Sequence, residues 1–294
     1  MSEASSAVGV VGLGEMGLPI ARNLLRAGYR VHGCDADPLA RNRAGSAGIS
    51  AVDDLDVAAK RAATWLVVVP AAAVPAVVKQ LAQTLAADSL VIVCSSVNPG
   101  VMSDVAAVLD PAGVRVCDAA LARGVPAAHE GSLLLYCGGD AETIERATPL
   151  LRAFARDVTH VGPLGSGQTA KLLNNLLLWS TVAAVTDTLR LAAAMGLDTD
   201  AVVQALALGS ARSWVLDTWS RPRPMPDLEH DLERALATAE LFGVELPIAR
   251  VVQQVMTDVK QRKAAAFAGT GAARSMADFV RATSPHQAQQ PENS

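Results

Sequence analysis

The sequence predicts an α/β chain, a doubly wound sheet followed by an all-helical domain, on three observations. A short β-branched run at 8–11 ends in glycine and passes directly into MGLPIARNLLRAGY, whose apolar positions recur at helical spacing. Apolar strand candidates at 30–34, 64–69, 90–94 and 114–117 then alternate with Ala-rich or polar segments long enough to be crossover helices. After Gly165 the strand signals vanish, and Ala/Leu-rich helical sequence continues to about Ala282.

The first run reads as strand, turn, helix, and the later runs as a parallel sheet covered on both faces. A run at 133–137, the helical ETIERATPLLRAFA and a short strand at 158–161 complete the sheet near its far edge. Helical sequence beyond that point breaks at Gly196, at 221–227 and at 243–247. The boundary is placed near Pro163, giving domains 1–163 and 164–284 and a polar tail at 285–294. Two domains also suit 294 residues, at roughly 150 residues per domain.

Composition narrows the function classes. Hydrophobic residues make up 51% and charged residues 18%, which packs cores and argues against disorder. A formal net charge of −4 without like-charge blocks offers nothing to neutralise a nucleic-acid backbone or to hold an anionic membrane. Cys34, Cys94, Cys117 and Cys137 are isolated in or beside apolar runs, without C-x-x-C spacing or a His cluster, so they read as reduced core residues and no metal is expected. The opening MSEASSAV lacks the basic and apolar regions of a signal peptide, and no stretch of 18 residues reads as apolar enough to span a bilayer, so a cytoplasmic protein is expected.

Gly12, Gly14 and Gly17 form G-x-G-x-x-G, with Leu13, Glu15 and Met16 between them, at the junction of the first strand and first helix. In a Rossmann-type unit such glycines let the backbone turn tightly and approach a pyrophosphate at the helix N-terminus. The second strand ends at Asp35, 18 residues after Gly17, where a carboxylate accepts from ribose hydroxyls and repels a 2′-phosphate. NAD is therefore favoured, with NADP left open because Arg41 and Arg43 lie close by; the alternative for Asp35 is a surface turn with Asp37 and Pro38. Two further strand ends, Val69-Pro70 and Cys94-Ser95-Ser96, fall where ligands of doubly wound sheets sit. Ser96 suits a nicotinamide contact or a turn cap before Asn98-Pro99.

GSGQTAKLLNNLLL begins the first helix of the second domain and carries Lys171 and Asn175 at i and i+4, on one face, with Asn174 one step around. A desolvated lysine there suits proton exchange with an alcohol or carbonyl oxygen. The same spacing also fits a snorkelling lysine at a helix start with exposed Asn side chains.

The order GLGEMGLPIARNLL, DAALARGVPAAHEGSLLLYCGG and GSGQTAKLLNN resembles the β-hydroxyacid dehydrogenase family over about residues 7–282, most specifically at the G-x-G-x-x-x-K-x-x-N-N string from Gly165 to Asn175. The resemblance implies an NAD(P)-dependent enzyme passing hydride between the cofactor and a small 3-hydroxy acid. Lys171 is then general acid and base, Asn175 and Asn174 meet the substrate, Gly12, Gly14, Gly17 and Asp35 hold the cofactor, and Ser96 lies beside the nicotinamide. It also implies a homodimer or homotetramer. The alternatives are an imine or other carbonyl reductase of the same superfamily, against which Lys171 argues, and a non-catalytic dinucleotide-binding sensor.

Three departures from the family pattern stand out. Where the family usually reads D-A-P-V-S-G-G in its substrate loop, this chain runs from Asp118 to Ala122, Arg123 and Gly124, losing the serine and gaining a guanidinium suited to a substrate acid group. His230 stands before Asp231-Leu232, where the family has a lysine by the cleft. The segment 219–228 is shorter than the family norm.

Overall fold

The computed structural model describes residues 7–222, 225, 228–269 and 274–283. The opening residues 1–6, the expected tail at 285–294, and residues 223, 224, 226 and 227 of the shortened segment lie outside the described residues. Compactness divides the chain into two units, Met1–Lys171 and Leu172–Ser294.

In the first unit the elements run β1 (Ala7–Val11), α1 (Gly17–Arg26), β2 (Arg30–Cys34), α2 (Pro38–Gly45), β3 (Ser50–Val52), α3 (Leu55–Ala59), β4 (Thr64–Val67) and α4 (Val74–Thr84). They continue through β5 (Leu90–Val93), α5 (Val101–Leu109), β6 (Arg115–Ala122), α6 (Gly124–Glu130), β7 (Leu133–Gly138), α7 (Ala141–Leu151), β8 (Ala155–Gly162) and the start of α8 (Ser166–Ala194). The eight strands lie in the order β3-β2-β1-β4-β5-β6-β7-β8. All pairs are parallel except β6 with β7. Crossovers through helices produce this doubly wound order, which reverses between β1 and β4.

The central strands are apolar on both faces, as helices on both sides require. Leu90 and Ile92 join one buried cluster with Val8, Val10 and Leu66, while Val91 and Val93 join the opposite cluster with Trp65 and Val67. Successive side chains of a strand point to opposite faces, so one β-branched run supplies both layers.

Two local expectations fail. β3 carries no run long enough to signal a strand, only Ser50, Ala51 and Val52, and its ladder with β2 defines it. β6 extends past 114–117 to Ala122, so Asp118–Ala122, expected in a substrate loop, is a strand paired antiparallel with β7. Small buried residues, Ala119 and Ala120, permit that close pairing in place of a loop.

In the second unit the elements are the rest of α8, α9 (Thr199–Leu208), α10 (Trp214–Asp217), α11 (Leu228–Leu241), α12 (Pro247–Ala266) and α13 (Met276–Thr283). Trp179, Val182, Leu189, Leu232, Met256 and Phe279 are among its core residues. Asp231 is buried with them and accepts from Trp179 Nε1 at 3.1 Å and from Arg234 at 2.6 Å, a charge held by partners on two helices. The expectation that no stretch is apolar enough to cross a bilayer is overturned, because α8 passes by length and composition, a property shared by core helices of soluble proteins. Its charges fall at Lys171, Asp187 and Arg190, leaving 172–186 uncharged.

Candidate active site

The turn after β1 is shaped by its glycines. Gly12 has φ +91°, and a Cβ there would lie 2.2 Å from the Val68 carbonyl oxygen; at Gly17 one would meet the Gly12 oxygen at 1.8 Å. Only glycine fits either position. A Cβ at Gly14 would meet nothing within 4 Å, so this exposed glycine faces open space beside the N-terminus of α1. Exposed Glu15 and half-buried Met16 lead into that helix. The turn thus fits a dinucleotide: two glycines close it and the third leaves its outer side accessible to a pyrophosphate.

Asp35, just past β2, is locked against this turn. Its Oδ2 accepts from the Leu13 backbone N–H at 2.6 Å and its Oδ1 from Asp37 N–H at 2.8 Å. The Arg41 guanidinium donates to the Asp35 and Ala36 carbonyls, each at 2.9 Å, and lies 3.6 Å from Asp53. Arg43 lies 3.8 Å from Asp37.

At the adjoining strand ends, Ser95 Oγ accepts from Val69 N–H at 2.9 Å and donates to the Val67 carbonyl at 3.2 Å, fixing the backbone ahead of Pro70. Ser96, next in sequence, is half-buried and accepts a hydrogen bond from Lys171 Nζ at 2.6 Å. A contact this short from an ammonium to a hydroxyl is a charge-assisted bond. Two residues 75 apart in sequence therefore meet at the carboxyl edge of the sheet.

A buried carboxylate and amide hold that meeting in place. Asp118, in β6, accepts from the backbone N–H groups of Gly165 at 2.6 Å and Gln168 at 2.8 Å, at the N-terminus of α8. Negative charge there complements the helix dipole. Burial nevertheless pushes the Asp118 carboxyl up to about 6, against the opposing pull of those hydrogen bonds. The buried Gln168 side chain donates to the Ser95 carbonyl at 2.9 Å and accepts from Val97 N–H at 3.1 Å. Sequence reasoning missed Gln168, although an amide three residues before a singled-out lysine in the same string was the available signal.

Arg123 follows β6 with φ +79°, unusual for a residue other than glycine, and Gly124 (φ +72°) opens α6. Its guanidinium donates to the Ser132 carbonyl at 3.0 Å and pairs with Asp157 at 2.7 Å. These two acceptors, one just before β7 and one in β8, hold the group at the end of β6. Ala122 lies half-buried at the end of β6.

On the second unit's part of α8, Asn174 Nδ2 donates to Asn175 Oδ1 at 3.1 Å, and Asn175 lies one turn beyond Lys171. His230 is exposed on α11, next to Glu229, which pairs with Lys260. A groove of about 380 Å³ in this unit, lined by residues including Ser180, Ala184, Val185, Leu206 and Leu216, contains no titratable group. The four cysteines are buried free thiols, and burial pushes Cys34 up to about 11 and Cys137 to about 12, which leaves them protonated.

Residues 7–162 match the family model described as the NAD binding domain of 6-phosphogluconate dehydrogenase, and residues 165–276 match that described as NAD-binding of NADP-dependent 3-hydroxyisobutyrate dehydrogenase. An NAD-dependent L-serine dehydrogenase of Pseudomonas aeruginosa is 31% identical over 80% of this chain and 78% of its own. A 3-hydroxyisobutyrate dehydrogenase of the same organism is 29% identical over 85% and 91%. The solved 3-hydroxyisobutyrate dehydrogenase of Mycobacterium tuberculosis with L-serine shares the fold, with a TM-score of 0.80 at 23% identity over 97% of this chain and 99% of that one. With both family models matched in succession along the chain, and with the glycine turn and the lysine in place, the chain belongs to the β-hydroxyacid dehydrogenase family.

Proposed function

We propose that this chain interconverts a small 3-hydroxy acid and its semialdehyde with NAD, NADP being the poorer cofactor, and that Lys171 moves the alcohol proton. The observation that carries this reading is the 2.6 Å bond from Lys171 Nζ to Ser96 Oγ at the carboxyl ends of the strands, where doubly wound sheets bind their ligands. Bound NAD supplies the hydride acceptor or donor. Lys171 gives a proton to the carbonyl oxygen during reduction and takes it back during oxidation, while Ser96 fixes the amine's position. Asn174 and Asn175 orient the substrate from the following turn of α8. Asp35, held by Leu13 and Asp37, presents negative charge that suits ribose hydroxyls and opposes a 2′-phosphate.

The relatives named for L-serine and 3-hydroxyisobutyrate make three- and four-carbon hydroxy acids the first substrates to try. The test is spectrophotometric reduction of NAD⁺ and NADP⁺ with 3-hydroxyisobutyrate, L-serine, glycerate, threonate, 4-hydroxybutyrate and sulfolactate, beside Lys171→Ala. Loss of about 10²–10⁴-fold in kcat in that variant is expected. Cofactor binding without turnover on any of these acids refutes the reading.

Copies of the chain associate through the second unit in this reading. Leu177, Leu191, Leu208, Leu241 and Phe242 are 62–91% exposed and supply the apolar side chains for such an association. Light scattering at the monomer mass would refute it.

A further inference from the structure

We propose that Gln168 is a positioning residue for the Lys171–Ser96 pair, a role that rests on the dehydrogenase reading above. Its side chain bonds the Ser95 carbonyl and the Val97 N–H, the two peptide groups flanking Ser96, at 2.9 and 3.1 Å. Its own backbone N–H is bonded to Asp118 at 2.8 Å, so the first turn of α8 is fixed to β6 and to the end of β5 at once. Lys171 stands three residues later on the same helix, one turn on and on the same face. The loop bearing Ser96 and the helix bearing Lys171 are thereby joined by a single amide.

The chemistry needs an amide. One end must donate to a carbonyl oxygen and the other accept from an N–H, both in a buried setting where an unmade bond is costly. Methionine keeps the shape and makes neither bond. An ionised glutamate sets an oxygen against the Ser95 carbonyl, whereas a protonated one reproduces the donor and acceptor of glutamine. Loss of the tie lets Nζ and Oγ drift apart without touching the glycine turn or Asp35, so chemistry suffers while cofactor binding stays.

The test compares Gln168→Met and Gln168→Glu with the unaltered enzyme. In Gln168→Met, kcat is expected to fall about 10-fold or more while the Kd for NAD⁺ stays within about twofold. In Gln168→Glu, activity relative to the unaltered enzyme is expected to rise about fivefold or more from about pH 8.5 to about pH 6, as the buried carboxyl protonates. A kcat within about twofold, a parallel loss of cofactor affinity, or a ratio flat with pH overturns the proposal. Should Gln168→Met fail to fold, the pH dependence of Gln168→Glu decides between the same two outcomes.

If the unaltered enzyme turns over no hydroxy acid, the dehydrogenase reading has failed, and positioning is then read directly. Limited acylation by an amine-reactive ester, followed by peptide mass spectrometry, should label Lys171 about threefold or more faster in Gln168→Met, because release from Ser96 exposes the amine. An unchanged labelling rate overturns it.

Discussion

Replacing Asp118 with asparagine tests how burial and hydrogen bonding balance at the N-terminus of α8. The carboxyl is fully buried and pushed up from 3.8 to about 6, burial outweighing the bonds from Gly165 and Gln168. A group whose folded value is raised binds its proton more tightly in the folded state. The stability it contributes is therefore complete below about pH 4 and lost as pH rises through about 6. A shift of about two units corresponds to about 3 kcal/mol. Asparagine does not titrate, but its amide nitrogen donates and so the side chain accepts from only one of the two N–H groups the carboxyl holds, which costs the variant stability at every pH. On top of that constant loss, the variant should gain on the unaltered protein by about 3 kcal/mol between about pH 4 and pH 7, a swing of about 6–12 °C in the Tm difference for a unit of this size. The assay is thermal unfolding followed by circular dichroism across that range, with the difference in Tm plotted against pH. A difference flat with pH, or one running the other way, would mean that the two N–H bonds fully offset burial, and the raised carboxyl would have to be abandoned.

Gly12→Ala and Gly14→Ala should separate folding from binding. The first puts a methyl 2.2 Å from the Val68 oxygen at φ +91° and should lower stability by about 1–3 kcal/mol or more, whereas the second meets no neighbour and should melt as the unaltered protein does while the Kd for NAD⁺ rises. Equal Tm losses in both would remove the pyrophosphate role from Gly14. Arg123→Ala should leave Tm nearly unchanged, since the exposed pair with Asp157 is worth about 0–1 kcal/mol, and should raise KM for an acidic substrate about tenfold. An unchanged KM would leave Arg123 as a surface partner of Asp157 alone.

Local sequence was enough to specify the layered α/β plan, the glycine turn, the acidic residue ending β2 and the lysine on α8. Each is written in periodicity or in fixed short spacing, which the backbone obeys whatever surrounds it. It did not disclose β3, whose three residues become a strand only by pairing with β2, nor the extension of β6 through Ala122, which its antiparallel partner β7 imposes. It could name Ser96 and Lys171 but not join them, because their contact spans 75 positions. The tie made by Gln168, the bonds to Asp118 and the ion pair of Arg123 with Asp157 likewise exist only in three dimensions. Local patterns fix which way a segment folds; hydrogen bonds between distant segments depend on how the strands are ordered, and no neighbour in sequence encodes that order.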